Sequence, residues 1–108
     1  MKIDIYTKNI ALDKPLEVFI QGKIGSLDKF IKGDTVAAKV EIGKPSRRHK
    51  NGFIFRAEAN LTIGGELLRA ESDHVDLRTA ITEVKDDLQL QIKKFKEKRK
   101  DLARKPKK

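Results

Sequence analysis

Residues 53–72 read FIFRAEANLTIGGELLRAES and carry the clearest structural signal in the chain. Apolar side chains recur at every second position, and the face they form consists of Phe53, Phe55, Ala57, Ala59, Leu61 and Ile63. Such alternation predicts a strand with one buried face. Gly64-Gly65 then separates this run from ELLRAES, and glycine at both positions tolerates the positive φ of a two-residue turn. The stretch therefore predicts an antiparallel hairpin.

Two further strands are predicted on the N-terminal side of this hairpin. KIDIYTK, residues 2–8, places Ile3 and Ile5 on one face and polar residues on the other. TVAAKVEI, residues 35–42, has the same period of two. Its apolar face consists of Val36, Ala38, Val40 and Ile42. The chain thus contains four predicted strands.

A first helix is predicted between the first two strands. Asp13 can cap its start, and Pro15 suits a first turn because proline loses no helical hydrogen bond there. Apolar residues at steps of three and four form one stripe, which consists of Leu16, Ile20, Ile24, Leu27 and Ile31. Gly22 and Gly25 each weaken the helix by roughly 1 kcal/mol relative to alanine. Packing of the stripe must offset that loss.

A second helix follows the hairpin. Ser72 or Asp73 is predicted to cap a helix that begins near His74, with Asp76 in the first turn, where the helix dipole favours a carboxylate. Its apolar stripe consists of Leu77, Ile81, Val84, Leu88, Ile92 and Phe95. The pattern continues to about Lys100, which corresponds to a length of roughly 39 Å.

The order of these elements predicts the fold class. A strand, a helix, three strands and a helix form an α+β domain, a β-α-β-β-β-α two-layer sandwich with two helices on one face of a four-stranded, largely antiparallel sheet. A chain of 108 residues builds one modest core. We therefore expect one domain over residues 1–102 and a short basic tail over residues 103–108. No apolar cluster is left over for a small-molecule pocket.

The net charge of +9 is unevenly distributed. Residues 93–108 contain ten basic and two acidic side chains, and these account for +8 of the total. A second basic excess lies in GKPSRRHKNG, residues 43–52, with Lys44, Arg47, Arg48 and Lys50. Such regions attract phosphate-rich partners. The alternative is a solubilising tail and a solvated loop, and for Arg47, Arg48 and Lys50 both interpretations stand.

The charges of the second helix separate by sign around its axis. On a helical wheel with Leu77 at zero, the basic flank spans roughly 80° to 160° and consists of Arg78, Lys85, Lys93, Lys96 and Lys100. The acidic residues lie together at roughly 180° to 280° and are Asp76, Glu83, Asp86, Asp87, Glu97 and Asp101. Pairing within the helix would place opposite charges four residues apart. Segregation instead favours an external anion.

Several classes of function lack a signal in the sequence. The chain has no cysteine, its apolar runs are too short to span a bilayer and its N-terminus has no signal-peptide core, which favours a cytosolic protein without a membrane partner. His49 and His74 have no partner at metal-ligand spacing, so neither a metal site nor another cofactor is expected. No nucleophile stands beside a base, so no catalytic residues and no enzyme are predicted.

Four stretches in order resemble one protein family. SLDKFI (residues 26–31) is similar to the end of its first helix, and GGELLRAES (residues 64–72) to its last hairpin. DLRTAI (residues 76–81) is similar to the start of the final helix, and QIKKFKEK (residues 91–98) to its basic end. The family is that of the ribosome hibernation promoting factors and ribosome-associated inhibitors of the S30AE (sigma-54 modulation protein) type. The resemblance extends from residue 2 to about residue 100.

This resemblance implies a fold and a function. The fold would be a β-α-β-β-β-α domain related in shape to the double-stranded-RNA-binding fold. The partners would be the small ribosomal subunit with its 16S rRNA and the 70S ribosome. The domain would occupy the mRNA and tRNA channel at the A and P sites and inhibit translation in stationary-phase or stressed cells. By resemblance the chain is a short form, or a domain cut from a longer form with a dimerising domain.

The resemblance also assigns residues. Lys23 and Lys29 match basic positions of the family's first helix, and the run after Gln91 supplies Lys93, Lys94, Lys96 and Lys98. Together with the charge pattern, the predicted rRNA-binding set is Lys23, Lys29, Arg47, Arg48, Lys50, Arg78, Lys85, Lys93, Lys94, Lys96, Lys98 and Lys100. The chain departs from the family at four positions of the final helix. Arg78 replaces a tyrosine and Thr82 an aspartate, and Asp87 and Leu90 stand where lysine and arginine are common.

Two other functions remain open from the sequence. A general double-stranded-RNA-binding module would share the basic helix and the sheet, but it would bind isolated duplexes as well as ribosomes. An adaptor that docks on an acidic protein is supported by the charge alone. For each of these functions the free protein is expected to be a monomer.

Overall fold

The computed structural model describes residues 1–31, 36–44 and 54–104, and of residues 101–104 it describes the backbone only. The elements in chain order are β1 (Lys2–Lys8), α1 (Lys14–Gly25), a short 3-10 helix (Ser26–Phe30), β2 (Val36–Gly43), β3 (Phe55–Ile63), β4 (Glu66–His74) and α2 (Leu77–Arg104). This order confirms the predicted α+β class and the β-α-β-β-β-α sequence of elements.

The four strands form one mixed sheet in the order β1-β2-β3-β4. β1 pairs with β2 in parallel, which α1 makes possible as the crossover connection, and the other two pairs are antiparallel. The diglycine turn is confirmed, because Gly64 and Gly65 have φ angles of 54° and 79° and Ile63 pairs directly with Glu66. Two positive φ angles match a hairpin turn that follows the twist of the strands.

One hydrophobic core lies between the sheet and the two helices. The sheet contributes Val36, Ala38, Val40, Ile42, Ala57, Ala59, Leu61, Ile63 and Ala70, and the helical layer contributes Leu16, Ile20, Ile24, Leu27, Ile31, Ala80, Ile81, Val84, Leu88 and Ile92. Ile3, Ile5, Leu77 and Phe95 pack against this core and are half-buried. The predicted stripes are therefore confirmed. Phe53, which was expected on the buried face of β3, lies outside the described residues.

The first helix begins as predicted but ends earlier as an α-helix. The carboxylate of Asp13 accepts a hydrogen bond of 2.9 Å from the Leu16 N–H and caps the helix. At the other end the Ser26 hydroxyl donates to the Lys23 carbonyl, over 2.6 Å, and the chain tightens into the 3-10 helix. A serine hydroxyl that bonds to the preceding turn competes with regular helix geometry. The tighter segment still buries Leu27.

The start of α2 differs from the prediction. β4 continues to His74, which pairs with Phe55, so Ser72 and Asp73 belong to the strand and the expected cap there is wrong. Asp76 lies before the first helical residue and accepts hydrogen bonds from the Arg78 N–H, over 3.3 Å, and from the Thr79 hydroxyl, over 2.7 Å. The Thr79 hydrogen bond is the main reason that the pKa of Asp76 lies below its ordinary value. Sheet pairing thus overrides the local capping signal.

The second helix extends to Arg104, four residues further than predicted. Its 28 residues correspond to about 42 Å of helix. Residues 105–108, most of the expected basic tail, lie outside the described residues. Within the described ranges, no helix has the length and apolar character needed to span a membrane.

Candidate nucleic-acid interface

The outer face of the sheet, opposite the helices, carries a network of ion pairs. This outer network consists of Arg56, Glu58, Arg69, Glu71 and Asp73. Arg56 Nη2 lies 2.6 Å from Glu71 Oε2, and Arg69 Nη2 lies 3.2 Å from carboxylate oxygens of both Glu58 and Glu71. Three carboxylates neutralise the two guanidinium groups. Over all four strands this face carries five basic and five acidic side chains, so it has no net charge that would attract phosphate. The set consists of Lys2, Lys8, Lys39, Arg56, Arg69, Asp4, Glu41, Glu58, Glu71 and Asp73.

The helical face carries a local concentration of positive charge. Basic side chains line the junction where α1 and the 3-10 helix meet α2, and we call this line the basic seam. It consists of Lys23, Lys29, Arg78, Lys93, Lys96 and Lys100. All six belong to the predicted rRNA-binding set, and the fold brings the residues of the first helix beside the basic flank of the last. Residues that are more than fifty positions apart in the sequence thus form one surface.

The Phe19 ring organises one part of the basic seam. The Arg78 guanidinium carbon lies 4.8 Å from the ring centroid, and Lys23 Nζ lies 5.7 Å from it. Both distances are within the range of cation–π attraction. In the family that the sequence resembles, a tyrosine occupies the position of Arg78. Contact with the Phe19 ring of α1 therefore fixes the positive charge of Arg78 near the start of α2.

The other part of the basic seam surrounds Phe30. Lys96 Nζ donates a hydrogen bond of 3.0 Å to the Phe30 carbonyl, and Lys29 Nζ lies 5.3 Å from the centroid of the Phe30 ring. An open groove of about 530 Å³ lies here between the 3-10 helix and α2. Its lining consists of Lys29, Phe30, Gln89, Lys93, Lys96, Glu97 and Lys100, and we call it the lysine groove. Four ammonium groups converge on it against one carboxylate.

Three predicted site residues of α2 lie elsewhere. Lys85 Nζ lies 3.5 Å from a carboxylate oxygen of Asp86, and its side chain is only 21% exposed. Lys94 and Lys98 lie on the opposite side of α2 from the lysine groove, where they line a shallow depression with Glu66 of β4. The run of basic residues after Gln91 is therefore divided between two sides of the helix.

The remaining predicted site residues are Arg47, Arg48 and Lys50, which lie outside the described residues. The same applies to His49. The other histidine has a structural contact, because His74 Nδ1 accepts a hydrogen bond of 2.9 Å from the Asp76 N–H. Among the described residues, no group of three or more potential ligands is placed to hold a metal ion.

Three residues of the site were not predicted from the sequence, namely Phe19, Phe30 and Gln89. Both aromatic residues are half-buried at the edge of the core and also contact basic side chains at the surface. One signal was available in the sequence: Phe19 precedes Lys23 by one helical turn, a spacing that places two side chains next to each other. Gln89 had no such signal, because its role depends on the position of the 3-10 helix.

Comparisons with known proteins agree with the fold. Residues 3–100 match the model of the family described as Sigma 54 modulation protein / S30EA ribosomal protein. The chain is 26% identical to the N-terminal domain of Thermus thermophilus Protein Y, with a TM-score of 0.76 over 88% of this chain and 99% of that one. A ribosomal subunit interface protein from Coxiella burnetii shares the fold at 14% identity, with a TM-score of 0.72 over 89% of this chain and 98% of that one.

Two curated relatives are both named ribosome hibernation promotion factor. The protein of Deinococcus radiodurans is 28% identical over 89 residues, which are 82% of this chain and 46% of that protein. The protein of Lactococcus lactis subsp. cremoris is 28% identical over 97 residues, which are 89% of this chain and 50% of that protein. The chain therefore spans about half the length of these relatives. Since the family model matches nearly the whole chain, this protein belongs to the Sigma 54 modulation protein / S30EA ribosomal protein family.

Proposed function

We propose that this domain is a ribosome hibernation factor. It binds the 16S rRNA of the small ribosomal subunit, alone or within the 70S ribosome, in the channel that mRNA and tRNA use at the A and P sites. It inhibits translation by occupying that channel in resting cells, and it acts in the cytoplasm. Family membership and the names of the curated relatives support the general role.

The basic seam is the observation that carries the proposal. Its six basic residues lie on one side of the molecule, whereas the arginines of the outer network are paired with carboxylates. Ammonium groups that neutralise phosphates release counterions, which supplies a large share of the affinity of proteins for nucleic acids. The helical face is thus the side expected to contact RNA.

The shape of the molecule suits a channel. Its principal extents are 60 × 27 × 19 Å, and α2 supplies a rigid rod of about 42 Å. The rod carries Lys93, Lys96 and Lys100 to one end of the domain, beyond Ile92, the last fully buried residue among the side chains that the structure describes. A flexible tail of equal charge could bind RNA but would not fill a fixed volume. Occupancy requires the rod, and it requires no catalytic group.

Sedimentation with isolated 30S, 50S and 70S particles tests the proposal, with a free RNA duplex as a parallel ligand. We expect co-sedimentation with 30S and 70S particles and weak binding to the duplex. Equal binding to the duplex would favour the general double-stranded-RNA-binding module instead. Absence of binding to every RNA-containing particle would favour the adaptor for an acidic protein.

Charge variants connect this binding to the basic seam. Replacement of Lys93, Lys96 and Lys100 by glutamine should lower the log–log salt slope of 30S binding by about 2 to 3, since each phosphate contact contributes about 0.7 to 0.9. A matched control replaces Lys2, Lys8 and Lys39, three exposed lysines of β1 and β2 away from the helices. It removes the same charge from the other face and should leave the slope nearly unchanged. An equal fall of the salt slope in both variants would show that net charge, and not the basic seam, determines binding.

A further inference from the structure

The lysine groove has the size of a site for one nucleotide. Its volume of about 530 Å³ lies within the range of about 300 to 1,000 Å³ that is usual for small-ligand sites. The groove is bounded by Phe30 on the side of the 3-10 helix and by one turn after another of α2 on the other side. It therefore combines an aromatic surface with a row of positive charges, which are the two elements of single-strand recognition.

The phosphate side of the groove belongs to α2. Lys93, Lys96 and Lys100 follow each other at steps of three and four, so their ammonium groups rise along one side of the helix. Lys96 is held in place by its hydrogen bond to the Phe30 carbonyl. An ammonium group has three N–H donors, so Lys96 keeps two of them for a phosphate.

The base side of the groove belongs to Phe30. The ring is half-buried against the core, and the Lys29 ammonium lies over it, 5.3 Å from the centroid. A base that stacks on this ring would displace Lys29 and free its charge for the phosphate. The Gln89 amide lines the same groove and offers a donor and an acceptor to the edge of a base.

We propose that the lysine groove binds a single unstacked nucleotide of RNA, with its base on the Phe30 ring and its phosphates among Lys93, Lys96 and Lys100. This rests on the proposed function, because it specifies which form of RNA the interface takes. Bases inside a duplex are paired and stacked and do not reach the ring. The domain therefore recognises an unpaired nucleotide in addition to the phosphate backbone.

Replacement of Phe30 by tryptophan provides a direct test, because the chain has no tryptophan of its own. The Phe30→Trp variant keeps an aromatic ring in the groove and gives one fluorescence signal. Titration with a single-stranded oligonucleotide of about ten nucleotides, a length that covers one such site, should quench this fluorescence in step with binding. Inorganic pyrophosphate at the same ionic strength should not quench it, because it has no base.

Affinity measurements separate stacking from charge. The Phe30→Leu variant keeps an apolar side chain at the edge of the core but loses the flat ring, and it should bind the oligonucleotide about 5- to 150-fold more weakly with the same salt slope. Phe30→Tyr should restore the affinity. Lys93→Gln should lower the salt slope by about 0.7 instead. Circular dichroism melting identifies any loss of affinity that comes from unfolding. If the Phe30→Leu variant is unfolded, the titration of Phe30→Trp decides whether the nucleotide site exists.

The outcomes distinguish this inference from the proposed function. Absence of quenching, or unchanged oligonucleotide affinity in a folded Phe30→Leu variant, would overturn the nucleotide site, even if 30S particles still bind. Quenching by the oligonucleotide without any binding to 30S particles would support the nucleotide site and overturn the ribosomal function. Stronger quenching by an RNA duplex than by the single strand would also overturn the nucleotide site.

Discussion

A single glycine sets how closely the two parallel strands approach. A Cβ atom added at Gly43 would lie 2.2 Å from the Lys8 carbonyl oxygen, which is a backbone atom that cannot move aside alone. Gly43→Ala should therefore lower the free energy of unfolding by about 1 to 3 kcal/mol, the usual cost of forcing extra atoms into a packed site. Urea denaturation monitored by circular dichroism measures the change.

Gly22 supplies the matched control for this substitution. A Cβ atom added there would meet nothing within 4 Å, and Gly22 lies inside α1, where alanine is favoured over glycine by about 1 kcal/mol. Gly22→Ala should thus raise the urea midpoint while Gly43→Ala lowers it. A shift in the same direction for both variants would contradict the steric explanation.

At the level of whole elements, the rigidity of the end of α2 can be tested apart from its charge. Glu97→Ala and Glu97→Pro remove the same negative charge from the lysine groove. Alanine keeps the helix, but proline removes the hydrogen bond to the Lys93 carbonyl and distorts the last turns. Because Glu97 lies more than one turn beyond the fully buried Ile92, the core should survive both changes.

We expect the two Glu97 variants to change 30S affinity in opposite directions. Glu97→Ala should bind slightly more tightly, since one repulsive charge is lost. Glu97→Pro should bind more weakly, since Lys100 no longer keeps its place beside Lys93 and Lys96. Filter binding or sedimentation at one fixed salt concentration measures both. Equal affinity of the two variants would mean that the end of the helix contributes charge without rigid placement.

The elements themselves were largely predictable, because their apolar residues keep a period of two or of three to four. The boundary between β4 and α2 was not predictable, since Ser72 and Asp73 have capping side chains but the pairing of β4 with β3 holds them in the strand. The basic flank of α2 was visible on a helical wheel. The lysine groove was not, because Phe30 and Lys96 meet only through the fold. Local patterns identify elements, and contacts between distant elements need the structure.

In the proposed function one molecule of the protein occupies one ribosome, so the inhibition of translation should be stoichiometric. Translation in a reconstituted system should fall in proportion to added protein and reach its minimum at an equimolar amount of protein and ribosomes. Inhibition should reverse on dilution or in high salt, since phosphate neutralisation weakens under both conditions. The rRNA should remain chemically intact.

Chemical footprinting of the small-subunit RNA checks the location of the bound protein. Protection should include nucleotides of the channel at the A and P sites and should disappear in the variant with Lys93, Lys96 and Lys100 replaced by glutamine. The triple variant of Lys2, Lys8 and Lys39 is the control that should retain protection. Occupancy would be contradicted by cleaved rRNA, by full inhibition with far less protein than ribosomes, or by protection only at remote sites.

The unequal charges of the two faces also act before any contact forms. With the basic seam on one side of the sheet and balanced charges on the other, the positive charge of the domain is displaced toward the helical side. In the field of a large polyanion this asymmetry produces a torque that turns the helical side forward. More encounters then start in a productive orientation, which raises the association rate constant and makes it sensitive to ionic strength. Side chains that never touch the partner thus help to decide how often the partner is reached.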